Sequence, residues 1–150
     1  MALTDDVYYS LRVGLVSLLD GNITQNSQPI PVYGNLNAIG GNKYILIQNV
    51  ANVDNSHKTG IVTRTTMQVS IVCKGDTLNG NEHEDIGAQV LAILAPYPSK
   101  AIPINSNFGI TDVKVVSDTA MPVRGGNTTT LTLERHLMIE FIVNNRLRTI

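Results

Sequence analysis

The sequence has no tryptophan, and aromatic residues make up only 5% of its 150 positions. A platform that stacks nucleic-acid bases needs exposed aromatics among basic residues; these few are scattered, so that function is excluded. No charge of one sign dominates either, because 11 Lys and Arg against 12 Asp and Glu leave a net charge of −1. A chain that works by neutralising phosphates carries a basic excess, so binding of nucleic acid through net charge is not expected. Arg146 and Arg148 form the one weakly basic stretch and read as a solvated tail. The single cysteine, Cys73, cannot close an internal disulfide. Apolar runs are interrupted by Arg12, Ser17 or Asn49, well short of the roughly 20 residues that cross a bilayer. The opening Met1-Ala2-Leu3-Thr4-Asp5-Asp6 is acidic where a secretory signal is basic. The expectation is a soluble, unexported protein without a membrane partner.

What is present supports a folded core. Hydrophobic residues reach 43% and charged residues only 15%, a balance that offsets chain entropy where a disordered composition does not. By area scaling, a chain of this size hides roughly two thirds of its unfolded surface. No internal repeat or change of composition divides it, so residues 1–150 are read as a single domain.

Thr4 is a suitable N-cap, with Asp5 and Asp6 in the first turn where the helix dipole favours negative charge. Val7, Leu11, Leu15, Leu18 and Leu19 then fall on one stripe, and Asp20-Gly21-Asn22 supplies a left-handed stop; a helix is predicted over about 5–19. Residues 22–43, rich in Asn, Gln, Pro and Gly, read as a long connection, with a short edge strand at Pro31-Val32-Tyr33. "YILIQNV" from Tyr44 to Val50 is the first firm strand. A polar loop, Asn52–Gly60, leads to a half-buried strand from Ile61 to Cys73. There Thr63, Thr65, Met67, Val69, Ile71 and Cys73 share one face, and Arg64, Thr66, Gln68 and Ser70 the other. The two strands make an antiparallel hairpin.

Lys74–Gly80 turns the chain, and Asn79 or Asn81 caps a second helix whose first turn holds Glu82, Glu84 and Asp85. Ile86, Val90, Ile93 and Leu94 form its stripe, Gly87, Ala88 and Ala92 allow close approach to a sheet, and Pro96 and Pro98 end it. Strands follow at about Ile110–Ser117 and Thr129–Val143, the latter alternating Leu131, Leu133, Leu137, Ile139, Phe141 and Val143 with polar residues. One-sided helices and one-sided strands combine most economically as an α+β domain: an antiparallel β-sheet of about four strands with two α-helices packed on one face.

Reactive groupings are scarce. His83 sits among acids in "NEHEDIG", but a zinc-binding helix needs two histidines four apart and position 87 is glycine, so an acidic, dipole-favoured helix start is the simpler reading. His57 falls at a loop tip; His136, on a polar strand face beside Glu134, reads as a cross-strand partner. Cys73 faces the core, where a thiol behaves as a small hydrophobe. Gly40-Gly41 and Gly125-Gly126 match neither a phosphate loop nor a dinucleotide fingerprint. No catalytic, cofactor or metal site is expected, and function is expected to reside in surfaces that pack against other chains.

Several stretches, in this order, resemble the tail-completion, or tail-terminator, proteins that join heads to tails in tailed bacteriophages. They are "LRVGLVSLLDGNI", "IPVYGNL" followed by "KYILIQNV", "SHKTG" before "TRTTMQVSIVCKG", "HEDIGAQVLAIL", "DVKVVSD" and "TLERHLMIEFIV". The resemblance covers nearly the whole chain, although the segments Ile23–Asn42 and Ser117–Thr128 are roomier than the family pattern. It implies a two-layer subunit, without catalytic residues or cofactor, that closes into a ring, commonly of six. That ring would sit in the virion neck, assembled in the host cytoplasm between portal or connector and tail proteins, end the tail and let viral DNA pass. A related neck ring, an adaptor or stopper on the portal, is the alternative reading.

A rotationally closed ring uses two different patches on each subunit. The loops 52–61 and 118–129 and the edge near Pro31 are the expected patches or channel lining. Asp54, His57, Lys58, Arg64, Arg124 and Asn127 are the residues expected to contribute.

Overall fold

In a computed structural model, which describes residues 6–54, 61–75, 78–94, 102–124 and 131–145, helix α1 spans Val7–Leu19. The side chains of 122–124 are not described. Its N-cap is Asp6, whose Oδ1 accepts from the Tyr9 N–H at 3.1 Å; Thr4, expected in that role, lies outside the described residues. Asp6 therefore satisfies an orphan donor directly instead of sitting inside the first turn. The predicted stop holds: Asp20 is the C-cap and Gly21 takes φ +80°. Gly14 is needed where it stands. A Cβ there would lie 2.8 Å from the Pro103 carbonyl oxygen, because residues 102–105 cross the helix and the Asn105 N–H donates to Ser10 Oγ at 2.9 Å.

The stretch expected as irregular connection contains a small hairpin, β1 (Thr24–Gln25) with β2 (Gln28–Pro29), turned by Asn26 and Ser27 at φ 52° and 62°. Positive φ at both central residues matches the right-handed twist of a two-residue hairpin. Strand β3 is Val32–Tyr33, as expected at an edge, and β4 is Lys43–Asp54. Then come β5 (Ile61–Gly75), helix α2 (Glu82–Leu94), β6 (Phe108–Arg124) and β7 (Leu131–Asn145).

The main sheet has five strands in the order β3-β4-β5-β7-β6, with β3 parallel to β4 and the other pairs antiparallel. The expected four-stranded antiparallel sheet is thus corrected to a five-stranded mixed one. The reason is local: after β3 the chain passes a 3-10 turn at Leu36–Ala38 and re-enters in the same direction as β4.

Both helices cover the same face. Leu11, Leu15, Leu19, Ile86, Val90 and Leu94 share one core with Ile45, Met67, Ile71, Leu137, Ile139 and Phe141, all essentially without exposure. Each such side chain contributes about 1.5–3 kcal/mol on burial. The predicted faces of β5 and β7 are those observed. On α2, Gly87 is buried as expected, but Ala88 and Ala92 are exposed and so do not mediate the approach to the sheet.

Two strands outrun their predictions. β4 continues past Val50 through an irregularity between Asn49 and Ala51, and β6 extends to Arg124 instead of ending at Ser117. Most of the region taken as loop 118–129 is therefore strand, and residues 125–130 lie outside the described residues. Its sequence shows no alternation because Asp118–Met121 are exposed on both faces. An edge strand held by ladder hydrogen bonds to β7 needs no apolar face.

Candidate assembly surfaces

The uncovered face of the sheet carries a polar cluster at its centre, beside Leu46, Val72 and Met138. His136 on β7 pairs in register with Ser70 on β5, and its Nδ1 lies 2.9 Å from Ser70 Oγ and 3.3 Å from Gln68 Nε2. Gln68 also donates to Ser70 Oγ at 2.9 Å. On the other side of the ring, His136 Nε2 is 3.6 Å from Glu134 Oε2. The set fits Nδ1 as acceptor and Nε2–H turned to the carboxylate. The cross-strand partner expected for His136 is thus Ser70, a residue that strand alternation placed on the right face but could not pair without a register. Ser70 is only 4% exposed and its oxygen accepts from Gln68 while contacting His136. The arrangement orders the face.

On the helix side, Arg135 interrupts the apolar run of β7. Its Nε and Nη2 donate to the two Asp118 oxygens on β6 at 2.9 and 2.7 Å, and its Nη1 donates to the Glu84 carbonyl of α2 at 3.2 Å. These hydrogen bonds hold the Asp118 carboxyl below its ordinary range and raise the Arg135 guanidinium. Gly87 makes room for that side chain: a Cβ there would collide with Arg135 Nη1. Close approach was legible from the glycine; its partner was not.

Asn81, one of the two expected caps, immediately precedes α2 and its carbonyl accepts the Asp85 N–H at 3.1 Å; Glu82 adds a second anchor. Its carboxylate accepts the backbone N–H groups of Asn79, Gly80 and Asn81 at 2.8, 2.8 and 3.1 Å. Burial pushes its pKa up, but those amides and its own outweigh burial, so the carboxyl titrates below its ordinary value. His83 is 3% exposed, not part of an acidic surface, and no group of three or more metal-ligating side chains occurs among the described residues. Burial pushes the Cys73 thiol up to about 11, with Lys43 opposing and Glu82 assisting.

The residues expected at patches or channel are separated by the fold. Asp54 ends β4, exposed and paired in register with Thr63. Arg64 lies on β5, its Nε 3.6 Å from Glu140 Oε1 on β7; half-exposed, such a pair contributes about 0–1 kcal/mol. Arg124 is the last residue of β6, across from Leu131. His57, Lys58 and Asn127 lie outside the described residues.

Both edges of the sheet are open among the described residues. β3 pairs only with Ile45 and Leu46, so Ile47–Val53 of β4 has no strand on its outer side, and β6 has none beyond it. Val50, Val53, Val116 and Met121 are exposed along these edges at 41–52%. A groove of about 480 Å³ follows the β4 edge, bounded by Asn35, Leu36 and Asn37 on one side and Ile47, Gln48 and Asn49 on the other. A second, apolar groove of similar size lies between α1 and β3 and is lined by Val13, Val16, Val32 and Tyr33.

The described residues form an α+β fold with one helix-covered sheet face and, among them, no strand beyond β6 or beyond Ile47–Val53 of β4. No described protein family matches the sequence, and no characterised protein matches it by sequence either. The fold is nevertheless shared with a chain in a solved structure described as "Virion of native gene transfer agent (GTA) particle". The TM-score is 0.57 and the identity 17%, with 96% of each chain covered. No helix among the described residues is long and apolar enough to cross a membrane.

Proposed function

We propose that the chain is a structural subunit of a phage-like virion that closes with its own copies into a non-catalytic ring at the head-to-tail junction. There it ends the tail, contacts portal or connector and tail proteins, and lets DNA pass. The observation that carries this reading is the fold shared end to end with a chain of a virion particle. The order of tail-terminator-like stretches supports it, as do the two open sheet edges, which suit a head-to-tail contact repeated around an axis. A net charge of −1 suits a channel that must not grip the DNA passing through it. No residue is assigned a chemical step, no cofactor is required, and the location is the virion neck.

Mass photometry and negative-stain images of the purified protein test the reading. Six copies of a 16.3 kDa subunit give a ring of about 98 kDa with a central hole. A species that stays at the subunit mass at micromolar concentration refutes it.

A further inference from the structure

β4 carries one irregularity and β6 two, one of them between Ile110 and Asp112; the β4 irregularity and the second one on β6 adjoin the same row of the sheet. On β4 the register shifts between Asn49, opposite Met67, and Ala51, opposite Thr66, leaving Val50 as the extra residue. On β6 it shifts between Val115, opposite Ile139, and Ser117, opposite Met138, leaving Val116. Met67 pairs with Ile139 across the centre of the sheet. Val50 and Val116 therefore flank one continuous row from opposite edges, within about one residue, or about 3.3 Å, of each other along the strands. Both are exposed, at 43% and 45%.

Strand polarity is equally matched. β4 runs against β5, β5 against β7 and β7 against β6, so β6 runs antiparallel to β4. A second copy placed beside the first by a modest rotation presents its β6 antiparallel to the open part of β4. With no slip of rows, Ile47–Val53 meets Asp118–Asp112 of that copy. The stretch Ile47–Val53 contains neither lysine nor proline, the residues that commonly blunt an edge. On β6, Pro122 falls outside the matching part, and Lys114 falls within it, between Asp112 and Asp118. The groove beside Ile47–Asn49 is walled on its far side by Asn35–Asn37, so the stretch of β4 beyond Asn49 is the more open part of this edge.

We propose that a second copy of this chain occupies the open β4 edge through its β6, the sheet continuing from subunit to subunit with Val115 opposite Val50 and Val116 opposite Asn49. This rests on the ring reading above and names its contact.

A chain carrying both Val50→Cys and Val115→Cys tests it; native Cys73 is buried and does not interfere. Mild oxidation is expected to yield a ladder of covalent oligomers on non-reducing gels, ending at the ring, while either single variant yields none. Rings of normal mass without a ladder overturn this contact and leave the ring reading standing. Dimers from Val50→Cys alone overturn it in favour of a two-fold contact. A protein that never leaves the subunit mass overturns both. A second experiment uses charge in place of a cross-link. Val50→Lys and Val116→Lys are each expected to be monomeric with unchanged circular dichroism, and their mixture to form one-to-one heterodimers and nothing larger, since each retains one working edge. Rings from either variant alone overturn the contact.

Discussion

Replacing Glu82 by glutamine removes one charge and almost no volume, and so isolates what the carboxylate does at the start of α2. In the native protein Oε1 accepts from Gly80 and Asn81, and Oε2 from Asn79. Glutamine keeps one acceptor oxygen but turns an NH2 group towards an N–H donor, losing a bond and creating a donor–donor contact. Hydrogen bonds to a charged group contribute about 1.5–3 kcal/mol each. Residues 79–81 are exposed, however, so water replaces part of what is lost. The negative charge also interacts with the helix dipole, adding about 0.3–1 kcal/mol. The expected loss at pH 7 is about 1.5–3 kcal/mol in all, which for a domain of this size lowers Tm by about 4–10 °C.

The pH dependence makes the test sharper. The folded carboxyl titrates below its ordinary value of 4.5, so its stabilisation is complete above that value and disappears as pH falls through the lower, folded one. Urea unfolding followed by circular dichroism at pH 7 and at pH 3 reads both effects. The gap between native protein and variant is expected to narrow at pH 3. A loss under about 0.5 kcal/mol at pH 7, or the same loss at both pH values, refutes the reasoning.

Gly87→Ala is expected to destabilise by about 1–2 kcal/mol, because displacing Arg135 from Asp118 costs more than the roughly 1 kcal/mol that alanine adds in helix propensity. In an Arg135→Ala background the same change is expected to stabilise, and a thermal melt that shows no change of sign contradicts the clamp. Leu137→Asp places an unpaired charge at a site with no exposure and is expected to prevent folding, whereas Thr132→Asp on the uncovered face is expected to fold; circular dichroism showing the two alike counts against the face assignment. Cys73, buried and with its thiol raised to about 11, is expected to react with a thiol reagent at pH 8 about a hundredfold more slowly than an unfolded cysteine from ionisation alone. Equal rates in buffer and in urea contradict its burial.

Period and punctuation were enough to find both helices and the four long strands, with the correct side of β5 and β7 facing inward. They did so because apolar spacing of 3.6 or 2 is imposed by burial, and burial is written into each residue separately. Where burial did not alternate, the signal failed. Asp118–Met121 is strand although exposed on both faces, and Thr24–Pro29 is a hairpin although nothing in it is apolar, because its stability comes from Gln89 of α2, which bonds Thr24 at both N–H and C=O.

The amino-acid order by itself determined an α+β chain with one helix-covered sheet and little basis for chemistry. Only the tertiary structure decided which residues meet: that Arg135 passes beside Gly87 to reach Asp118, that Ser70 faces His136, and that Val50 and Val116 flank one row. Each of these depends on strand order and register. Register is a relation between segments far apart in the chain, fixed by hydrogen bonds between backbones that carry no side-chain label.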